Sequence, residues 1–169
     1  MWRGGTASII AKSAQLHGIV DKVYLCDTFT GVVKAGTHDT LYKGGEHADT
    51  SVKIVEELNN KLKINNTKVL VGIFPEETGK LINDKKFRFC HIDVDVYQSA
   101  KDIVEWIWPR LVIGGMIVFD DYGFFGCEGV TRLINEEERN KKDRLFIHNL
   151  NGHAILIKIS DTRKPVAIF

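Results

Sequence analysis

The stretch from Phe87 to Gly123 restricts the fold more than any other part of this chain. It reads FRFCHIDVD, then VYQSAKDIVEWIWPRL, then VIGGMIVFDDYG. That is an apolar run ending in acids, an amphipathic segment, and a second apolar run ending in acids. In physical terms it is a strand, a helix and a strand, and a crossover of this length joins parallel strands. In an open α/β sheet the ligand site lies just beyond the carboxyl ends of such strands. Asp93, with Asp95, and the pair Asp120–Asp121 are therefore expected to enter one crevice. Carboxylates so close repel one another unless a cation or a proton sits among them. Hard oxygen ligands of this kind suit Mg²⁺, Ca²⁺ or Mn²⁺.

Composition sets the limits around that unit. A chain of 169 residues, 44% hydrophobic and 27% charged, reads as one ordinary globular domain. We take that domain as residues 1–160, followed by a tail at 161–169. A formal net charge of +1 gives no electrostatic case for nucleic acid or an anionic membrane. The partner expected instead is a small molecule. Cys26, Cys90 and Cys127 show no metal-type spacing and read as buried thiols of a reducing compartment. No apolar run approaches the roughly 18 residues of a membrane span. The start also lacks a signal-peptide pattern, so the expected location is cytoplasmic.

Taken in order, the chain opens with Gly4–Gly5 as a turn, and Thr6 is the candidate cap of a helix reaching Gly18. Alone, the glycine pair reads equally as a simple helix-start turn. Val23–Asp27 is a short strand ending in an acid. It lies about 20 residues after the turn, the spacing of an acid that hydrogen-bonds ribose hydroxyls. Thr28–His47 is too long for a simple connection and reads as a lid, or else as plain disorder. Asp49 is the candidate cap of a helix through Asn59 to Lys63, and Lys68–Phe74 is the next strand. Pro75 with Glu76 and Glu77 suits the start of a short helix. Ser99 and Asp102 form a capping-box-like pair for the helix after Tyr97. Trp106 and Trp108 read as packing residues. Glu128 to about Asn140 reads as a surface helix, with EEERNKKDR as its solvated face. Asn151–Gly152 between RLFIHNL and HAILIKI is a hairpin signal.

The alternation of elements gives an α/β, Rossmann-like fold. Its sheet is mostly parallel and closes on a C-terminal antiparallel hairpin. That closing hairpin favours a methyltransferase-type sheet over a dehydrogenase-type one.

WRGG at the start, DTF after the second strand, IDVDVYQS and GGMIVFDDYG together resemble the macrocin O-methyltransferase family over roughly residues 2–135. The resemblance implies S-adenosylmethionine as cofactor and a sugar hydroxyl as methyl acceptor. It implies Mg²⁺ held by Asp93, Asp120 and Asp121, with Asp93 also the general base. Arg3, Gly4 and Gly5 of the WRGG turn would meet the cofactor, and Asp27 its ribose. The family places a strand carrying an acid before WRGG, so we expect this sheet to lack its usual first strand. Another segment, or a second copy in a homo-oligomer, would then fill the gap.

The residues suit that chemistry on their own terms. Methyl transfer from a sulfonium to a hydroxyl is an in-line displacement that needs alignment and a less protonated oxygen. His91 shares a strand side with Asp93 and reads as a core histidine or a catalytic one. Asp95 reads as a supporting partner or a turn residue. Two other functions compete. Asp93-Val94-Asp95 is a DxD, the pattern of a metal-dependent glycosyltransferase, although that reading leaves WRGG and Asp120–Asp121 without a role. The second competitor is a fragment of a methyltransferase that has lost catalysis.

Overall fold

The computed structural model describes residues 2–161, so the expected tail lies, apart from Asp161, outside the described residues. The chain divides into two compact units. One takes the residues up to Lys34 together with Lys43–Asn83, and the other takes Ala35–Tyr42 together with the residues from Asp84 onward.

The first unit contains helix α1 (Gly5–Leu16), strand β1 (Val23–Asp27), helix α2 (Val52–Lys61) and strand β2 (Thr67–Val71). β1 and β2 pair in parallel from Val23↔Thr67 to Asp27↔Val71. Leu25, Leu70, Ala11 and Val55 are buried in this unit. Ser8 donates to Asn59 Oδ1 at 3.0 Å, which ties α1 to α2. Asn66 donates to the Ala11 carbonyl at 3.0 Å, which ties α1 to the start of β2.

Both expected helix caps in this unit are corrected. α1 begins at Gly5, before Thr6, and its cap position is Gly4 at φ 82°, with no side-chain cap. A left-handed entry of this kind suits glycine, which has no Cβ to clash. α2 is capped by Ser51, whose Oγ accepts from Ile54 N at 3.3 Å. Asp49 turns back instead and accepts from Trp2 Nε1 at 2.6 Å and from Arg3. The expected strand through Phe74 stops at Val71, because Gly72 turns at φ 138°. The helix expected at Pro75 is replaced by a single 3₁₀ turn at Gly79–Ile82. Glu77 accepts from Ile73 N at 2.7 Å, and Glu76 pairs with Lys34.

The second unit contains β3 (Phe87–Ile92), α3 (Tyr97–Ile107), β4 (Leu111–Phe119), α4 (Glu128–Leu133), β5 (Arg144–His148) and β6 (Ala154–Lys158). Its four strands run in the order β3-β4-β6-β5. β3–β4 is parallel, and both β4–β6 and β6–β5 are antiparallel. The expected α/β fold with parallel strands and a C-terminal antiparallel hairpin is observed, its strands divided between a parallel pair and a mixed sheet among the described residues. Ile92, Ala100, Val104, Ile117, Phe119, Leu133 and Leu156 belong to one buried cluster that joins sheet and helices.

Two further expectations are corrected here for tertiary reasons. α3 is not capped by Ser99 and Asp102; Asp39 supplies the acceptor from the loop before it. Asp39 Oδ1 accepts from Tyr97 N at 2.9 Å, and its Oδ2 accepts from Gly36 N at 2.8 Å. The Thr28–His47 loop is therefore held in place rather than structureless. The EEERNKKDR segment is also a solvated face only in part: Glu136, Arg139, Asn140, Lys141 and Lys142 are exposed. After α4 the chain makes a π turn over Ile134–Glu138, closed by Arg139 N to the Ile134 carbonyl at 2.9 Å. Glu138, Asp143 and Arg144 are all buried.

Candidate active site

The last pairs of the ladders decide what meets at the end of the sheet. β3 and β4 are paired through Ile92↔Phe119, so the next residues, Asp93 and Asp120, leave side by side. Asp120 N still donates to the Ile92 carbonyl at 2.9 Å, which keeps the two chains in register at that point. One carboxylate oxygen each from Asp93, Asp120 and Asp121 lies within 4.8 Å of the others.

Asp121 is the most enclosed of the three, at 8% exposure. Its Oδ2 accepts from Val94 N at 3.3 Å and Asp95 N at 3.1 Å. Burial, followed by the charges of Asp95 and Asp93, pushes its carboxyl up to about 7. A carboxylate this destabilised calls for a proton or a cation.

Asp95 turns back at φ 65° on the far side of Asp121. Its carboxylate is hydrogen-bonded to Tyr42, whose hydroxyl burial and that bond keep from ionising. Asp95, Asp121 and Cys127 form a second cluster of similar tightness. Burial and the charges of Asp121 and Asp95 push the Cys127 thiol up to about 12. A hard divalent cation prefers oxygen donors to a thiol, so the all-carboxylate Asp93–Asp120–Asp121 cluster suits such an ion better than the second cluster.

Two histidines face Asp120. His91 Nε2 lies 3.6 Å from Asp120 Oδ1, outside hydrogen-bond range. His153 Nε2 lies 2.7 Å from the same oxygen. Sequence reasoning missed His153, which stands immediately after the Asn151–Gly152 hairpin signal. Only the strand register, with Phe119 opposite Ala154, brings it to the acids.

The remaining expected site residues lie in the first unit. Gly4 and Gly5 form the entry of α1, where a Cβ on Gly4 would come within 3.1 Å of Val55 while Gly5 stands open. Arg3 is engaged by Asp49, its Nη2 donating to Asp49 Oδ2 at 2.5 Å. Asp27 ends β1, and its Oδ1 accepts from Phe29 N at 2.7 Å.

The sequence profile of the macrocin O-methyltransferase (TylF) family matches residues 1–151. The chain is 26% identical over 142 residues to the 8-demethyl-8-(2,3-dimethoxy-alpha-L-rhamnosyl)-tetracenomycin-C 4'-O-methyltransferase of Streptomyces olivaceus, a match covering 75% of this chain and 52% of the relative. It is also 26% identical over 133 residues to the demethyldecarbamoylnovobiocin O-methyltransferase of Streptomyces niveus, covering 72% and 50%. The chain thus spans about half the length of the curated relatives it matches. Its fold is similar to that of the O-methyltransferase NovP, with a TM-score of 0.73 at 18% identity over 95% of this chain and 69% of that one. The calicheamicin methyltransferase CalS11 gives a TM-score of 0.72 at 15% identity over 92% and 68%.

Proposed function

Because the chain belongs to the macrocin O-methyltransferase family, we propose that it transfers a methyl group from S-adenosylmethionine to a small-molecule hydroxyl. The acceptor we favour is a sugar, since one relative is named for methylating a rhamnosyl-bearing compound. The observation that carries this reading is the convergence of Asp93, Asp120 and Asp121 beyond two adjacent parallel strands.

The three carboxylates fit a divalent cation. Mg²⁺ holds oxygens at about 2.0–2.1 Å and keeps several waters, so three protein ligands leave room for an acceptor oxygen. A bound cation supplies orientation and acidity to the acceptor hydroxyl.

Asp93 is the group we assign to take the hydroxyl proton. The freed oxygen pair then forms the new O–CH₃ bond as the S–CH₃ bond breaks, releasing S-adenosylhomocysteine. Asp95, bound to Tyr42 and lending its amide to Asp121, supports the cluster. Gly4 and Gly5, with Arg3, are assigned to the cofactor, and Asp27 to its ribose. We read residues 1–160 as one methyltransferase domain.

The test is methyl-labelled S-adenosylmethionine with a panel of sugar-bearing acceptors, with Mg²⁺ and with chelator. Label should appear on an acceptor oxygen, vanish in chelator and return with Mg²⁺. Asp93→Asn should lose more rate than Asp121→Asn, because it removes a base as well as a ligand. Full activity in excess chelator would sink the metal assignment. Binding of a nucleoside diphosphate in place of S-adenosylhomocysteine would sink the methyltransferase reading.

A further inference from the structure

The row that begins with Asp93 and Asp120 continues across the antiparallel strands. Phe119 pairs with Ala154, so the residue after one, Asp120, faces the residue before the other, His153. His148 also pairs with Ala154, so Asn149 faces His153 from the far side. Asn149, His153, Asp120 and Asp93 thus stand in one line across the ends of β5, β6, β4 and β3. The hairpin turn runs from Asn149 to His153, wider than Asn151–Gly152 alone, with Leu150 at φ 60° and Gly152 at φ 83°. A Cβ on Gly152 would run into the Phe124 ring, so the turn packs beneath the loop that follows Asp120–Asp121.

The hydrogen bonds along this line fix each proton. Asn149 Oδ1 accepts from Asn151 N at 2.9 Å and His153 N at 3.0 Å, which sets the orientation of the amide. Its Nδ2 therefore points at His153 Nδ1, 2.8 Å away, and donates to it. A ring nitrogen that accepts carries no proton, so the neutral imidazole holds its hydrogen on Nε2. That Nε2–H is donated to Asp120 Oδ1 at 2.7 Å.

We infer that His153, its tautomer set by Asn149, is a positioning residue that orients the Asp120 carboxylate toward the cation cluster. The inference rests on the metal reading of Asp93, Asp120 and Asp121. Donors behind ligating carboxylates fix the ligand's rotation, and losing one costs about 10–100-fold in metal affinity. The hairpin at the C-terminal end of the sheet then serves the site as well as the fold.

Two measurements test this. On the unaltered, metal-free chain, long-range ¹H–¹⁵N NMR of the His153 ring should show the proton on Nε2. Asn149→Leu should shift the ring toward a mixture of tautomers. A ring protonated only on Nδ1 would overturn the inference. In the second, Mn²⁺ is titrated by electron paramagnetic resonance into the unaltered chain, His153→Leu and His153→Gln. Leucine should weaken binding about tenfold or more, and glutamine, whose side-chain amide also donates, should restore most of it. Equal Mn²⁺ affinity in the unaltered chain and His153→Leu would overturn the positioning role and leave the metal reading intact. No Mn²⁺ binding by the unaltered chain would end the metal reading and this inference with it. Should His153→Leu not fold, the tautomer and His153→Gln still decide.

Discussion

The guanidinium carbon of Arg144 sits 3.6 Å from the centroid of the Trp108 ring. The same guanidinium pairs with Glu138 and Asp143, and Trp108 Nε1 donates to Asp143 Oδ2 at 2.8 Å. Burial alone would push the Asp143 carboxyl up; the hydrogen bonds from Arg144 and Trp108 outweigh it and hold it below its ordinary range. These contacts fasten the chain between α4 and β5 to the C-terminal end of α3, and so hold the hairpin that carries His153.

Arg144→Leu would remove the buried cation that both carboxylates share, leaving Glu138 with Lys141 and Asp143 with Trp108. Breaking a buried pair in this way costs about 3–5 kcal/mol, far more than an exposed pair is worth. The urea midpoint should fall accordingly, and Arg144→Lys should recover only part, because an ammonium cannot bond both carboxylates while stacking on the tryptophan face as the planar guanidinium does. A loss below about 1 kcal/mol would show that water screens this network.

Asp39 accepts the Tyr97 amide across 58 positions of sequence. Removing a carboxylate that caps a helix costs about 0.5–2 kcal/mol. Asp39→Ala should lower stability by that amount and speed hydrogen exchange in the first turn of α3, while Asp39→Asn should retain most of the protection. Unchanged exchange in Asp39→Ala would remove Asp39 from this role.

How much was legible follows from where each signal resides. β1 and the unit β3–α3–β4 were readable because apolar runs and terminal acids are local features. The apolar run of β3 and the order Asp93, Asp120, Asp121 needed no distant residue. Asp39 and Ser51 were missed as caps in favour of Ser99 and Asp49, since several polar residues stand near each helix start and only packing selects among them. Glu138, Asp143 and Arg144 looked like surface charges because the indole that covers them lies some thirty residues earlier in the chain. His153 was invisible for a different reason. Its place beside Asp120 depends on the register of one antiparallel ladder, and its tautomer on the register of a second.

Asp27 ends β1 with one carboxylate oxygen engaged by Phe29 N. If its carboxylate also accepts from the cofactor's ribose, Asp27→Ala should weaken S-adenosylhomocysteine binding by about 1–3 kcal/mol, the range for hydrogen bonds to a charged group. Calorimetric titration checks this, with Asp27→Asn as the control that preserves an acceptor for Phe29. Unchanged affinity in Asp27→Ala would return Asp27 to a turn-forming role alone.

The last prediction concerns Asp121, whose carboxyl is raised from an ordinary value of 3.8 to about 7 by burial and by Asp95 and Asp93. Between those two values the folded chain holds a proton that the unfolded chain has released. Stability therefore falls as pH rises through this window, by at most about 1.4 kcal/mol per pH unit, and levels off above the folded value. A divalent cation reverses the preference, since it binds the ionised carboxylate and displaces the proton. Mg²⁺ affinity should thus climb up to about tenfold per pH unit below 7 and flatten above it. At pH 8, Mg²⁺ should raise the melting temperature of the metal-free chain more than it does near pH 5. Asp121→Asn removes the titrating group, so its metal-free stability should lose most of this dependence on pH. Mg²⁺ affinity that stays flat across the window would show that Asp121 does not exchange a proton for the ion.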